Sequence, residues 1–419
     1  MTVTPKAARV AVLSVLVIAG VSLAIRPGEA HKAITSKYTY NDDVFPILRD
    51  RCGSCHVAGG VAPMSLMTYD DAFPWAESIR AELVASHMPP WNADEGYGEI
   101  QRAHTLTPKQ LDVILTWATG GNPRGSLDQT LPAVTLKHEW KLGAPDLVLK
   151  LPAEFTLAAD KMEDWQDVTL PSGTAEARWV RAVDLLPGTP SIVRSATIFV
   201  KDPATTAVAQ GLSPAAGAAA PEHVLGLWLP GQDPSPGDAV AIRLPAGAQI
   251  GVRIHYKKTW QFEGKALTDR STVGLYFTAA GAATELLSLP IDSPAAATGA
   301  DRTVRFSRTL SDDVQALALS PDQVPGNISL QVEAVKPDGS RVPMIRLNTR
   351  ADWDRRYWFE KPMALPRGTR VEVTANLEDP DMLSAAFTAM PNAVAAAAKP
   401  SSMRLTLNVI PARSRPIAP

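Results

Sequence analysis

One pentapeptide restricts this chain more than any other feature: Cys52-Gly53-Ser54-Cys55-His56, a C-x-x-C-H run that contains the only two cysteines in 419 residues. Two thiols at this spacing can add to the two vinyl groups of one haem, and the adjacent imidazole then sits under the iron as proximal ligand. Other uses of such a pair fit less well. A redox dithiol wants a βαβ context, and none is visible. A zinc site needs four ligands, usually from a second pair, and this sequence has no second pair. A disulfide between Cys52 and Cys55 would close a very small loop with little entropic gain. The expected cofactor is therefore one covalent haem c, held by Cys52 and Cys55, with His56 on the iron.

The N-terminus sets the compartment. Lys6 and Arg9 precede an apolar run from Val10 to Ile25, and Gly28-Glu29-Ala30 has the small-x-small pattern of a signal-peptidase site. The run falls short of the roughly 20 residues that a membrane-spanning helix needs. Residues 1–30 are expected to be a signal peptide cleaved after Ala30, with an uncleaved inner-membrane anchor through residues 10–25 as the alternative. Either reading places the rest of the chain in the periplasm or beyond. With 41 Lys+Arg against 43 Asp+Glu and no basic run, a nucleic-acid partner is not expected. At 45% hydrophobic the chain is too apolar for general disorder. At about 150 residues per domain it has room for roughly three globular units.

The residues around the pentapeptide predict helices. Asn41-Asp42-Asp43 can cap a helix carrying Val44, Phe45, Ile47 and Leu48, with Pro46 in the first turn. Trp75, Ile79 and Leu83 share one face of a second helix from about Pro74 to Ser86, which Met88-Pro89-Pro90 stops. Thr107 caps a third helix, Pro108 opens it, Leu111, Ile114, Leu115 and Ala118 form its stripe, and Gly120-Gly121 ends it. The distal iron ligand must come from beyond the first helix. Met88 is the choice, because two prolines hold it in extended backbone; Met64, Met67 and His87 remain rivals, and methionine is often core filler. A His/Met pair leaves no open position for oxygen and favours electron transfer over catalysis.

Past residue 126 the pattern changes to short alternating strands between Pro, Gly and Asp turns. Ile250, Val252, Ile254 and Tyr256 share one face, and Arg253 and His255 the other. Leu330, Val332 and Ala334 alternate similarly, as do Val371, Val373 and Ala375, and Leu405, Leu407 and Val409 read as the closing strand. The Ala/Pro-rich stretches Pro203–Glu222, Ser293–Ala300 and Pro391–Pro400 read as loops or linkers. Trp353, Tyr357 and Trp358 beside Arg355 and Arg356 read as strand packing with snorkelling arginines rather than as a recognition patch.

Ordered motifs carry a family resemblance. They are Ala62-Pro63-Met64-Ser65-Leu66, Met88-Pro89-Pro90-Trp91, Trp117-Ala118-Thr119-Gly120-Gly121-Asn122-Pro123, Leu142-Gly143-Ala144-Pro145-Asp146, Trp228-Leu229-Pro230-Gly231, Ile254-His255-Tyr256, Asp269-Arg270-Ser271-Thr272-Val273-Gly274-Leu275 and Leu365-Pro366-Arg367-Gly368-Thr369. The chain resembles bacterial proteins in which a monohaem cytochrome c is fused to a module like the copper type II, ascorbate-dependent monooxygenases of the peptidylglycine-hydroxylating and dopamine β-monooxygenase types. The resemblance implies Met88 as distal ligand. It also implies a multidomain fold: a small all-α cytochrome c domain over 31–126, a linker over 127–141, two antiparallel β-sandwich (jelly-roll-like) domains over 142–292 and 301–412, and a tail over 413–419.

The copper ligands are where the chain departs from that pattern. The resemblance implies a His-His pair where Arg194 and Ser195 stand, a third His that His255 matches, a Pro-His-x-His-like turn where Pro321-Asp322-Gln323 stands, and a methionine for which Met382 is the nearby candidate. Of the seven histidines, only His223 and His255 fall in the β region, whereas a two-copper site would need about five or six imidazoles. Arg194 would also oppose a cation. Copper is therefore not expected, and His255 reads as a polar-face strand residue or a remnant ligand. The leading expectation is an exported one-electron carrier that serves a periplasmic or membrane redox partner, its β module binding or scaffolding a partner. The alternatives are a haem-linked copper monooxygenase acting on a small substrate and a structural subunit of a membrane-associated redox complex.

Overall fold

The computed structural model describes residues 35–101, 105–201, 223–233, 239–279, 281, 283–293, 303–349, 353, 355–377 and 403–412. The signal segment, the Ala/Pro stretches (Ser293 excepted), His31, His104, Met382 and the tail lie outside these residues. Among the described residues no helix is long and apolar enough to cross a membrane.

The chain is mostly β-sheet, and among the described residues its α-helices are gathered before residue 120. Thr39 caps a π-helical turn, Tyr40–Val44, which runs directly into α1, Phe45–Arg51. The cap expected at Asn41-Asp42-Asp43 is thus displaced, because the Thr39 hydroxyl lies upstream and accepts from the Asp42 N–H. A short helix, Tyr69–Ala72, and a 3-10 turn, Phe73–Trp75, lead into α2, Ala76–Val84. The third expected helix forms as α3, Pro108–Thr119, with a Thr107–Gln110 capping box at its start and Gly120 at its end. Tyr40, Phe45, Leu48, Leu66, Ile114 and Trp117 share one core. Leu131, Val134 and Leu136, in the stretch expected as a linker, pack on that core, since burying three apolar side chains favours docking over a free tether.

Eleven strands form the next unit: β1 (Leu147–Lys150), β2 (Phe155–Leu157), β3 (Glu163–Pro171), β4 (Arg178–Leu186), β5 (Val193–Lys201), β6 (Val224–Trp228), β7 (Val240–Leu244), β8 (Gln249–Lys257), β9 (Leu267–Asp269), β10 (Thr272–Thr278) and β11 (Thr284–Glu285). The sheets β1-β10-β4-β7-β11 and β3-β8-β5-β6 face each other across one core, to which Val183 and Leu275 contribute from one side and Ile198 and Ile254 from the other. Pairing is antiparallel except for β7 with β11.

The second sandwich contains β12 (Leu287–Asp292), β13 (Thr303–Thr309), β14 (Val314–Gln323), β15 (Ser329–Val335), β16 (Arg341–Asn348), β17 (Tyr357–Leu365), β18 (Arg370–Asn376) and β19 (Arg404–Pro411). Its sheets are β12-β19-β14-β17 and β13-β18-β15-β16. The alternation at 330–334, 371–375 and 405–409 places those residues in a shared core. One boundary needs correction. β12 lies within the span 142–292 expected for the first sandwich, yet it pairs with β19 from Leu287↔Val409 to Asp292↔Arg404. Its backbone groups find their partners in the closing strand, which sequence distance hides.

The expected helical span of 31–126 is also interrupted. Residues 92–101 run along the second sandwich, bonding first to the edge strand of one sheet and then to the edge strand of the other. Asp94 N donates to Arg346 O (2.9 Å) and Asn348 N to Asn92 O (2.8 Å); Gln101 N donates to Trp358 O (2.8 Å) and Glu360 N to Glu99 O (2.9 Å). Ala93 and Ile100 are buried in that sandwich's core. Between them Gly98 has φ +77°, and a Cβ there would overlap the Met344 carbonyl, so the backbone can approach only without a side chain.

Candidate functional site

A cavity of about 340 Å³ opens where the helices meet both sandwiches. Its wall is predominantly apolar and includes Leu48, Leu66, Leu83, Ile114 and Trp75. Cys52, Cys55, His56 and Met88 all line it, although the last lies far from the pentapeptide in sequence. α1 delivers Cys52 at its C-terminal cap, where its N–H bonds to Leu48 O, and the chain then turns so that His56 N bonds to Cys52 O (2.8 Å).

The electrostatics of these groups suit ligation rather than thiol redox chemistry. Both cysteines are free thiols. Burial pushes the Cys52 thiol up to about 12, with its neighbour Cys55 adding to the rise. Burial also raises Cys55, against the lowering effects of the Ser54 hydroxyl and of Arg194, Lys141 and Arg355. A redox dithiol needs an accessible thiolate, and these environments disfavour one. Burial holds His56 below its ordinary value and hence neutral. Its Nδ1 lies 3.1 Å from Met64 O, an oxygen that can only accept. Nδ1 therefore carries the proton and Nε2 keeps a lone pair, the usual arrangement of a metal-bound imidazole.

The rival distal ligands are placed differently. His87 Nδ1 is 3.0 Å from Glu82 Oε2. Met67 is buried against Gly53 and does not line the cavity. Met64 does line it, but its carbonyl is the His56 acceptor, which puts it beside that imidazole. Met88 lies on the loop after α2, followed by Pro89 and Pro90.

Several cavity residues come from the sandwiches and carry no local sequence signal. Arg194 comes from β5, Leu229, Pro230 and Gln232 follow β6, and Trp353 and Arg355 precede β17. The Cys55 sulfur lies 3.8 Å from Pro230 O. Arg355 corrects the snorkelling expectation: it is 8% exposed, its Nη2 donates to Pro90 O (2.7 Å), and its guanidinium lies 5.3 Å from the Trp91 ring. Arg356 is half-buried, and desolvation pushes it down to about 10. An apolar cavity with two thiols, a neutral imidazole bearing a free lone pair, a thioether and buried Arg51 and Arg355 Nε atoms without hydrogen-bond partners is a donor set that fits haem c.

His255 lies elsewhere. It is buried on β8, paired in register with Ser195 of β5 and Trp165 of β3. Its Nε2 is 2.6 Å from Glu163 Oε1, and its ring stacks on Trp165 with centroids 4.4 Å apart. Of the positions that the resemblance implies for copper, Ser195 and His255 are thus direct neighbours. Among the described residues no group of three or more His, Cys, Asp or Glu side chains is placed to hold a metal ion.

No family model matches the chain, and neither does any curated protein. A solved xanthan lyase from Paenibacillus overlaps 64% of this chain and 25% of its own, at 9% identity and a TM-score of 0.15. The chain spans about a quarter of that enzyme's length, and the likeness is too slight to bear on fold or function.

Proposed function

We propose that the protein is an exported monohaem c-type cytochrome that carries single electrons between periplasmic or membrane partners. In this reading its helical segment is a cytochrome c domain, and its sandwiches descend from a copper monooxygenase-like module. The observation that carries the proposal is the convergence of Cys52, Cys55, His56 and Met88 on one apolar cavity. Haem, when bound, supplies a one-electron iron couple. Cys52 and Cys55 would hold it as thioethers, and His56 would present Nε2 because Met64 O fixes the other ring nitrogen. Met88 presents its sulfur from a proline-held loop on the cavity wall. The apolar wall would shield the group, and a His56/Met88 ligand pair would favour outer-sphere transfer over oxygen chemistry. His255, already bonded to Glu163, has no assigned role in this reading.

The test is a visible spectrum joined to iron and copper analysis of protein recovered from the exported fraction. One iron per chain, a low-spin reduced spectrum and a weak sulfur-to-iron band when oxidised are expected. Met88→Ala should keep the haem and lose that band. Colourless protein, or a band that survives Met88→Ala, refutes the cofactor or the ligand assignment respectively.

A further inference from the structure

We propose that Arg355, backed by Arg194, is the site on this chain that binds a haem propionate carboxylate, so that the sandwiches complete the haem crevice instead of merely flanking it. The inference rests on the haem reading above. It starts from a charge imbalance. Among the described residues the cavity wall carries the guanidinium groups of Arg51, Arg194 and Arg355 and the carboxylate of Glu82. Glu82 is already engaged, 3.0 Å from His87 Nδ1. Arg51 lies in the last turn of α1, where helix carbonyls offset its charge. Arg355 has no such compensation. It leaves only 8% of its surface exposed, spends Nη2 on the Pro90 carbonyl, and keeps a buried Nε with no hydrogen-bond partner.

A buried cation without a counter-charge is unfavourable, and a planar guanidinium is best met by a carboxylate that accepts from two nitrogens at once. An inorganic anion would satisfy the charge but not the apolar wall. A porphyrin brings both an apolar disc and carboxylates. Arg194 lines the same cavity, with its guanidinium 5.7 Å from the Trp353 ring. The residue standing where the resemblance implies a copper imidazole is thus turned to the haem side. Arg355 also touches Pro90, two residues from Met88, so one guanidinium joins the carboxylate site to the loop of the distal ligand.

The test is a potentiometric titration and a resonance Raman spectrum of the full-length haem protein, wild type against Arg355→Gln, Arg355→Lys and Arg194→Gln. A cation beside the haem favours the reduced, less positive iron. At the wild-type midpoint potential, Arg355→Gln should lower the reduced-to-oxidised ratio about tenfold, equivalent to about 59 mV for one electron. Arg355→Lys should restore most of the ratio, and Arg194→Gln should lower it by less. The propionate bending band should shift in Arg355→Gln. An unmoved potential in a haem-loaded Arg355→Gln protein overturns the proposal and leaves the cytochrome reading intact. A lowered potential with an unmoved propionate band also overturns it, because the charge then acts without touching the carboxylate. Should Arg355→Gln fail to fold, Arg355→Lys and Arg194→Gln decide by the same two readings. Haem-free wild-type protein removes the cytochrome reading itself.

Discussion

Replacing Gly231 with alanine tests whether the first sandwich is seated on the Cys-Gly-Ser-Cys turn. Gly231 follows β6 with φ +80°, and a Cβ there would come 2.7 Å from Ser54 Cβ and closer still to Ser54 Oγ. Rotating the serine hydroxyl away does not help, because its Cβ cannot move without the backbone. The left-handed conformation costs an alanine about 1–2 kcal/mol. Forcing the two turns apart adds about 1–3 kcal/mol, the usual range for overpacking a fitted contact. Gly231→Ala should therefore destabilise the folded chain by about 2–5 kcal/mol in chemical denaturation. Adding Ser54→Gly removes the obstructing atoms but not the strained dihedral, so the double variant should recover about 1–3 kcal/mol. Equal destabilisation with and without Ser54→Gly would show that the two turns do not touch, and that the first sandwich is not seated on the Cys-Gly-Ser-Cys turn.

Other expectations can be checked on the same protein. Asp269 is 1% exposed and accepts from Tyr256 Oη (2.9 Å), Thr189 N (2.7 Å), Ser271 N (3.0 Å) and Ser271 Oγ (2.7 Å). Asp269→Ala leaves these buried donors unmet and should cost about 3–5 kcal/mol by denaturant titration; a loss below about 1 kcal/mol would contradict the burial. Burial raises the phenols of Tyr40 and Tyr256 well above 10.0. The unfolded chain sheds these protons first, so the contribution of these two rings to stability should be level below about pH 10 and fall as pH rises beyond it. Phenolate absorbance from these two rings should appear only with unfolding. Tyr40→Phe should make the alkaline decline shallower by about one proton, at the cost of the bond to Leu66 O (2.7 Å).

Local physics made part of this molecule readable in advance. α3 was legible because its cap, opening proline, apolar stripe and terminal glycine all act within a few residues of one another. β8 was legible because Ile250, Val252, Ile254 and Tyr256 alternate with polar neighbours. The start of the first helical run is ambiguous in the sequence because caps compete, with Thr39 ahead of the acidic run. The sandwich to which β12 belongs is not legible in the sequence, because strand pairing depends on partners more than a hundred residues away. At the candidate site the pentapeptide and Met88 stood out by chemistry. Arg194, Trp353 and Arg355 did not, since a guanidinium reads the same whether it faces water or the wall of a cavity, and only tertiary structure decides.

The pairing of residues 92–101 with both sheets of the second sandwich governs how the chain can be dissected. A fragment starting at β12 would carry every strand of that sandwich and still be incomplete. It would leave backbone groups of Arg346, Asn348, Trp358 and Glu360 unpaired along two open margins, and uncover the hydrophobic floor under Ala93 and Ile100. Bare margins of that kind recruit other chains. Truncation by domain would therefore yield sticky, self-associating material, and soluble pieces of this protein must either retain the crossing segment or receive it back as a peptide.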